Sequence, residues 1–258
     1  MAGFLGWAFQ GIGPSPEAKA TIAEFPWLNP TRATGVSGLL LGGSTPKLAF
    51  YAGAKVRPAS YAPLAAAYLR ELEDPEAGVI VLQSPACVYA FKPPSVAKVL
   101  ECYPSVSCIA GHNLGGFRAA ESCRALHESG GWPEAGLSFY YVGVHGKGVS
   151  LAPFKALPFE RVGWAAATQD VNLRRAAAGA GSQGVYADDV AAYIKQVAAH
   201  ELPEGAQILE IEGGNHEQYG SYGSPGFLRG LAYQDLPAAM PADMQRDYVA
   251  AALAAVSR

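Results

Sequence analysis

A short stretch in the middle of the chain carries the strongest chemical signal. The apolar run Val106–Ala110 ends at Gly111, and Gly115 follows four residues later, with Asn113 between the two glycines. Glycines two residues before and after a central residue fit a strand–turn–helix elbow, in which the central side chain stands above the end of a sheet. A Cβ on either flank of such a turn would clash. Serine at the centre of this elbow would be a nucleophile, and here Asn113 occupies that position.

Two later parts of the chain carry the residue types that would complete a nucleophile–acid–histidine set. Asp170 follows a predicted strand over 161–166, and His216 follows one over 206–211. In a mostly parallel sheet, functional groups gather at the carboxyl ends of the strands, so we expect these side chains to meet Asn113 there. Asp188 and Asp189 are rival acids, but their place before a predicted helix favours helix capping.

A loop after an early predicted strand completes the candidate site. The backbone N–H groups of Gly53 and Ala54 are placed to pair with that of Leu114 as an oxyanion hole. We expect a modest pocket over the strand ends, near Lys55, His112 and Tyr219. The histidine beside the elbow is predicted to be a structural side chain rather than a base.

The elements that must position these residues alternate between strands and helices. Predicted strands cover 38–42, 47–53, 78–83, 106–110, 137–144, 161–166 and 206–211, and predicted helices cover 60–72, 95–102, 114–127, 188–200 and 243–256. This alternation predicts an α/β fold with a mostly parallel central sheet and helices on both faces. The short connection over 144–161 predicts no large lid. We expect a single domain over 37–258, with residues 1–36 as an N-terminal arm packed on it.

The composition narrows the choice of partners. Half of the 258 residues are hydrophobic, which is enough for a sizeable core. The net charge of −3 comes from dispersed charges, so neither nucleic acid nor an anionic membrane surface is an expected partner. The four cysteines show neither metal-ligand spacing nor a dense disulfide pattern, so no metal site is predicted. With no signal peptide or membrane span recognised, we expect a soluble protein of the cytoplasm or an organelle stroma.

Three stretches resemble the α/β-hydrolase superfamily, and within it the compact dienelactone-hydrolase-like proteins of the "α/β hydrolase fold-5" type. They are Phe50–Val56 with Tyr61–Leu64, Gly111–Gly116, and Ile211–Gly220 with Tyr222–Gly223. The resemblance spans roughly residues 38–256. It implies a serine nucleophile, an acid and a histidine that act on carboxylic esters or related acyl bonds without a cofactor. His216 matches the family's histidine and Asp170 its acid, whereas Asn113 departs from the pattern at the serine.

The chemistry of asparagine changes what this site can do. The lone pair of a carboxamide nitrogen is delocalised into the C=O, so Asn113 cannot form an ordinary acyl-enzyme, although asparagine tolerates a positive φ well. If Asp170 holds the Nδ1–H of His216, then Nε2 is an acceptor and the Asn113 amide can donate to it. We therefore predict that hydrogen bond within a degenerate triad.

Four interpretations follow from a degenerate triad. The favoured one is a non-catalytic or weakly active homologue whose pocket takes a small hydrophobic or acyl-type ligand, or whose surface binds a partner. The second is an active serine ester hydrolase whose elbow serine was replaced. In the third, His216 alone acts as a base, without a covalent intermediate. In the fourth, Asn113 is deamidated to an aspartate nucleophile, which the bulk of Leu114 should slow.

Overall fold

The computed structural model describes residues 12–25, 27–28, 35–84, 93–144, 149–179, 187, 189–222 and 237–258. Its strands are β1 (Trp27–Leu28), β2 (Gly38–Gly42), β3 (Thr45–Tyr51), β4 (Ala77–Leu82), β5 (Cys108–His112), β6 (Ser138–Val142), β7 (Val162–Ala167) and β8 (Gln207–Ile211). These eight strands form one sheet in the order β1-β2-β4-β3-β5-β6-β7-β8. The pairs β1–β2 and β2–β4 are antiparallel, and all the others are parallel. The carboxyl ends of β3, β5, β7 and β8 therefore lie along one edge.

Helices cover both faces of this sheet. They are α1 (Pro16–Glu24), α2 (Ala62–Leu72), α3 (Val96–Cys102), α4 (Leu114–Glu128), α5 (Val171–Ala177), α6 (Ala191–Glu201) and α7 (Ala242–Ser257). Buried residues of α3, α4, α5 and α6 belong to one hydrophobic core, and those of α2 and α7 belong to a second. No inserted domain interrupts these elements within the described ranges. The predicted fold class is confirmed.

The central strands supply side chains to both cores in alternation. In β7, Trp164 and Ala166 face the first core, while Ala165 and Ala167 face the second. Every residue of β7 is buried, as the continuous apolar run predicts for a parallel strand covered on both sides. The last strand differs, because β8 lies at the sheet edge and most of its residues are exposed or half-buried. His216 therefore follows an edge strand, and other contacts must fix its position.

Two local expectations were wrong or incomplete. The helix predicted over 60–72 begins at Ala62, because a 3-10 turn, Pro58–Tyr61, precedes it and leaves Ser60 buried. Helices α1 and α5 were not predicted from the sequence. Near the start of α6, Asp189 accepts a hydrogen bond from the N–H of Ala191, as the capping interpretation expected, and Asp188 lies outside the described residues.

The described part of the N-terminal arm contacts the loops at the strand ends. Ile12 donates its N–H to the carbonyl of Lys55, and Ser15 donates its N–H to the carbonyl of Ser221. The prediction of one domain over 37–258 with an arm over 1–36 stays a prediction. Among the described helices, none has the length and apolar character needed to cross a membrane.

Candidate active site

The elbow has the geometry that the glycine spacing predicts. Asn113 connects β5 to α4 with φ 54° and ψ −130°, a conformation that few non-glycine residues adopt. A Cβ at Gly111 would lie 2.6 Å from the backbone nitrogen of Gly116, and one at Gly115 would collide with the carbonyl oxygens of Tyr51 and Ala52. Both flanking glycines are therefore required by close backbone packing.

The structure brings the three predicted triad positions together. His216 Nδ1 lies 2.7 Å from Asp170 Oδ2, and His216 Nε2 lies 2.5 Å from Asn113 Nδ2. Asp170 is buried and begins α5, where its other carboxylate oxygen accepts the N–H groups of Asn172 and Leu173. Because Asp170 Oδ2 faces Nδ1, the favoured tautomer of His216 is the one that carries its proton on Nδ1 and donates it to this oxygen. Nε2 is then the acceptor for the Asn113 amide, as predicted.

The carboxamide of Asn113 is engaged at both ends. Its nitrogen donates to His216, and its oxygen accepts the N–H of Leu114 at 2.5 Å. That N–H is the elbow's predicted oxyanion donor. Asn113 thus stands at the central position of the elbow, and its side chain already occupies this predicted donor.

The loop after β3 was predicted to supply the other oxyanion donors, from Gly53 and Ala54, and the N–H groups of these two residues have different surroundings. The N–H of Gly53 donates to the hydroxyl of Tyr61 at 2.9 Å, so the expectation that it serves as an oxyanion donor was wrong. The buried hydroxyl captures this N–H because a Cβ-free residue lets the ring approach closely. The N–H of Ala54 makes no hydrogen bond with any described residue, and it stays the candidate donor on this loop.

The predicted pocket residues lie at different depths. His112 and Tyr219 are fully buried beneath the triad, with ring centroids 4.5 Å apart for His112 and His216 and 5.4 Å apart for His112 and Tyr219. Lys55 is half-buried and has a positive φ of 63°. Leu114 is 37% exposed, so it is the apolar side chain that the site presents to its surroundings.

His112 belongs to a buried hydrogen-bonded chain that sequence reasoning missed. Its Nδ1 lies 2.8 Å from the Tyr61 hydroxyl, which also receives the Gly53 N–H, while its Nε2 has no partner among the described residues. Burial lowers the pKa of His112 well below 6.5, and the positive charge that His216 can carry lowers it further. His112 is therefore a neutral structural histidine, as the sequence predicted.

A glutamine of the C-terminal helix fixes the loop that carries His216. The side chain of Gln245, fully buried in α7, accepts the N–H of Asn215 at 3.0 Å and donates to its carbonyl at 2.8 Å. On the other side of the loop, Thr168 Oγ1 accepts the N–H of Gly213 at 2.9 Å. Because the strand before His216 is an exposed edge strand, these contacts are what hold the loop in place. A polar residue on the buried face of a predicted amphipathic helix was the one available signal for Gln245.

Comparisons with known proteins agree with the fold. Residues 47–130, from β3 through α4 and including the elbow, match the model of the alpha/beta hydrolase family. The structure is similar to carboxyl esterase 2 of the mycorrhizal fungus Tuber melanosporum, with a TM-score of 0.54, 12% identity, and coverage of 96% of this chain and 92% of that one. It is also similar to a thermostable esterase from Pseudomonas putida, with a TM-score of 0.50, 14% identity, and coverage of 94% and 88%. No curated protein sequence matches the chain.

The chain thus has the α/β-hydrolase fold, and residues 47–130 match the alpha/beta hydrolase family. The narrower resemblance to dienelactone-hydrolase-like proteins stays a prediction.

Proposed function

We propose that this protein binds a small hydrophobic or acyl-type ligand over the strand ends without hydrolysing it. One observation carries the proposal, namely that the Asn113 carboxamide bridges His216 Nε2 and the Leu114 N–H, both at 2.5 Å. The position that a serine hydroxyl would use holds an amide nitrogen, which is not a nucleophile. The carbonyl of a bound ester would also compete with the Asn113 oxygen for the Leu114 N–H.

Both effects lower catalysis independently. Loss of a single oxyanion donor typically reduces kcat by about 10²–10³-fold, and loss of the nucleophile removes the covalent route. We expect the protein to bind an ester substrate. The bound ester should be hydrolysed no faster than it is in solution without the protein. Leu114 directly follows Asn113 and is exposed, so we expect it to supply an apolar contact for such a ligand.

The test combines covalent labelling with ligand binding. A fluorophosphonate probe, which reacts with activated serines, should leave the protein unlabelled, and calorimetry with p-nitrophenyl butyrate should show saturable binding with no release of p-nitrophenol. Placing a glutamate at the exposed site, Leu114→Glu, should weaken that binding. Covalent labelling of the protein, or absence of saturable binding, would contradict the proposal.

Variants separate the proposal from its alternatives. In one outcome, Asn113→Ser becomes labelled and hydrolyses the ester, and the double variant Asn113→Ser with Asp170→Asn is slower by on the order of 10⁴-fold. The other catalytic groups would then be functional, and the asparagine alone would account for the lack of activity. If Asn113→Ser stays inert, the site has diverged beyond one residue. Ester turnover by the unaltered protein that disappears in His216→Ala would instead support base catalysis by His216, and it would refute the proposal.

A further inference from the structure

Asn113 is held in an unusual relation to the next backbone nitrogen. The substituents of a tetrahedral Cα are spaced by about 120° when viewed along the Cα–C bond. At a ψ of about −120° the Cβ is therefore eclipsed with the nitrogen of the following residue. Asn113 has ψ −130°, which leaves its Cβ within about 10° of that eclipsed arrangement. This is the torsion that a five-membered ring closed between the side-chain Cγ and the Leu114 nitrogen requires. The 2.5 Å separation of Asn113 Oδ1 and Leu114 N shows that the side chain folds back onto that nitrogen.

Two further features favour ring closure at this asparagine. The Leu114 N–H is at the first position of α4, where an N–H has no acceptor within the helix, and it donates to the side-chain oxygen of Asn113. The amide nitrogen that would have to leave lies 2.5 Å from His216 Nε2, and Asp170 supports the charge on that imidazole. The nitrogen nucleophile, the carbonyl carbon and a proton carrier therefore converge on one carboxamide.

From this convergence we infer that Asn113 is a site of self-modification, at which the folded protein cyclises the asparagine and releases ammonia. The Leu114 nitrogen forms a bond to Asn113 Cγ and gives up its proton to His216 Nε2. The imidazolium then protonates the amide nitrogen, the bond from Cγ to that nitrogen breaks, and ammonia leaves a succinimide. Addition of water to the succinimide opens either of its C–N bonds. The product is aspartate at position 113 or its isoaspartyl isomer, and the overall reaction consumes one water and releases one ammonia.

The bulk of Leu114 and the backbone geometry of the elbow have opposite effects on cyclisation at Asn113. The bulk of Leu114 slows cyclisation in a flexible chain, where few conformers reach the required torsion. In the elbow Asn113 lies between two closely packed glycines with ψ −130°, so the folded backbone already holds nearly that torsion. The fold, which ordinarily protects asparagine, should therefore accelerate the reaction at this position.

The chain contains its own matched control. Asn172 is also followed by a leucine, so the two dipeptides are identical in sequence. Asn172 lies inside α5. The helical ψ of about −42° turns its Cβ away from the backbone nitrogen of Leu173. The N–H of Leu173 is in addition bonded to Asp170 Oδ1 at 3.4 Å. Steric bulk is thus the same at both sites, and backbone geometry differs.

The experiment follows both asparagines by peptide mass mapping during incubation of the full chain at neutral pH. We expect loss of ammonia, or the gain of about 1 Da that follows hydrolysis, at Asn113 well before Asn172. In guanidinium chloride the Asn113 rate should fall to that of Asn172. Equal rates at the two sites in the folded protein, or a faster Asn113 reaction after unfolding, would overturn the inference.

Two variants test the roles assigned to the neighbours. His216→Ala, checked for native circular dichroism, should slow the reaction at Asn113 and leave Asn172 unchanged; an unaltered Asn113 rate would refute the proton transfer through His216. Asn113→Gln should be stable at that position, because its longer side chain cannot close a five-membered ring. These readouts are masses of peptides and do not depend on whether the protein binds or hydrolyses an ester.

Discussion

Replacing Tyr61 by phenylalanine should destabilise the protein by more than the loss of one hydroxyl ordinarily costs. This hydroxyl accepts the Gly53 N–H at 2.9 Å and lies 2.8 Å from His112 Nδ1, and all three groups are buried. In Tyr61→Phe the N–H and the ring nitrogen both lose their partner at once. A buried polar group left unsatisfied costs about 1–3 kcal/mol, so the two together should lower the free energy of unfolding by about 2–6 kcal/mol.

Tyr140→Phe is the matched control for this change. Tyr140 is as fully buried as Tyr61, but its hydroxyl has no hydrogen-bond partner among the described residues. Its removal should be neutral or slightly stabilising, because no partner is left behind. Thermal unfolding followed by circular dichroism compares the two variants, with each kcal/mol corresponding to a shift of about 2–4 °C for a protein of this size.

A double-mutant cycle isolates the contact itself. His112→Leu removes the ring nitrogen that faces the hydroxyl, so Tyr61→Phe should cost less in that background, with a coupling energy of about 0.5–3 kcal/mol. The reasoning would be refuted if Tyr61→Phe shifted the melting temperature no more than Tyr140→Phe does. It would equally be refuted if the costs of Tyr61→Phe and His112→Leu were simply additive.

Two further predictions concern pH and the N-terminal helix. Because the pKa of His112 is lowered in the folded state, the unfolded chain binds an extra proton below about pH 6.5. The free energy of unfolding should therefore fall with decreasing pH by up to about 1.4 kcal/mol per pH unit from this group, and urea titrations at a series of pH values should show a shallower dependence in His112→Leu. Separately, Glu17→Ala should cost about 2 kcal/mol in the same titration, since it leaves the buried guanidinium of Arg246 without its carboxylate, whereas Glu24→Ala on the exposed side of α1 should be neutral.

The sheet and the elbow were predictable because each depends on local sequence. Continuous apolar runs predict buried parallel strands, and the spacing of Gly111 and Gly115 reports a backbone approach that excludes a Cβ. The order of elements then places Asp170 and His216 at the same sheet edge as Asn113. The fold class and the positions of these side chains thus follow from patterns only a few residues long.

The buried polar contacts could not be predicted in the same way. Tyr61 and His112 are 51 residues apart, and Gln245 meets the backbone of Asn215 across 30 residues. Nothing local in the sequence selects one buried polar partner over another, because the choice depends on how α2 and α7 pack on the sheet. Gly53 illustrates the consequence, since its N–H was assigned to the oxyanion hole from its loop position and is instead held by a tyrosine from the next element.

The asparagine in the elbow connects groups that a serine at the same position would leave separate. Hydrogen bonds run without interruption from the first N–H groups of α5 through Asp170, His216 and Asn113 to the first N–H of α4. A serine in the elbow could continue this chain only as far as its hydroxyl, leaving the N–H of Leu114 available to a substrate. The carboxamide instead has both a donor and an acceptor, so it closes the chain between two helix N-termini. Asn113 therefore joins α4, α5 and the loop after β8, which gives Asp170 and His216 a role in the stability of this region.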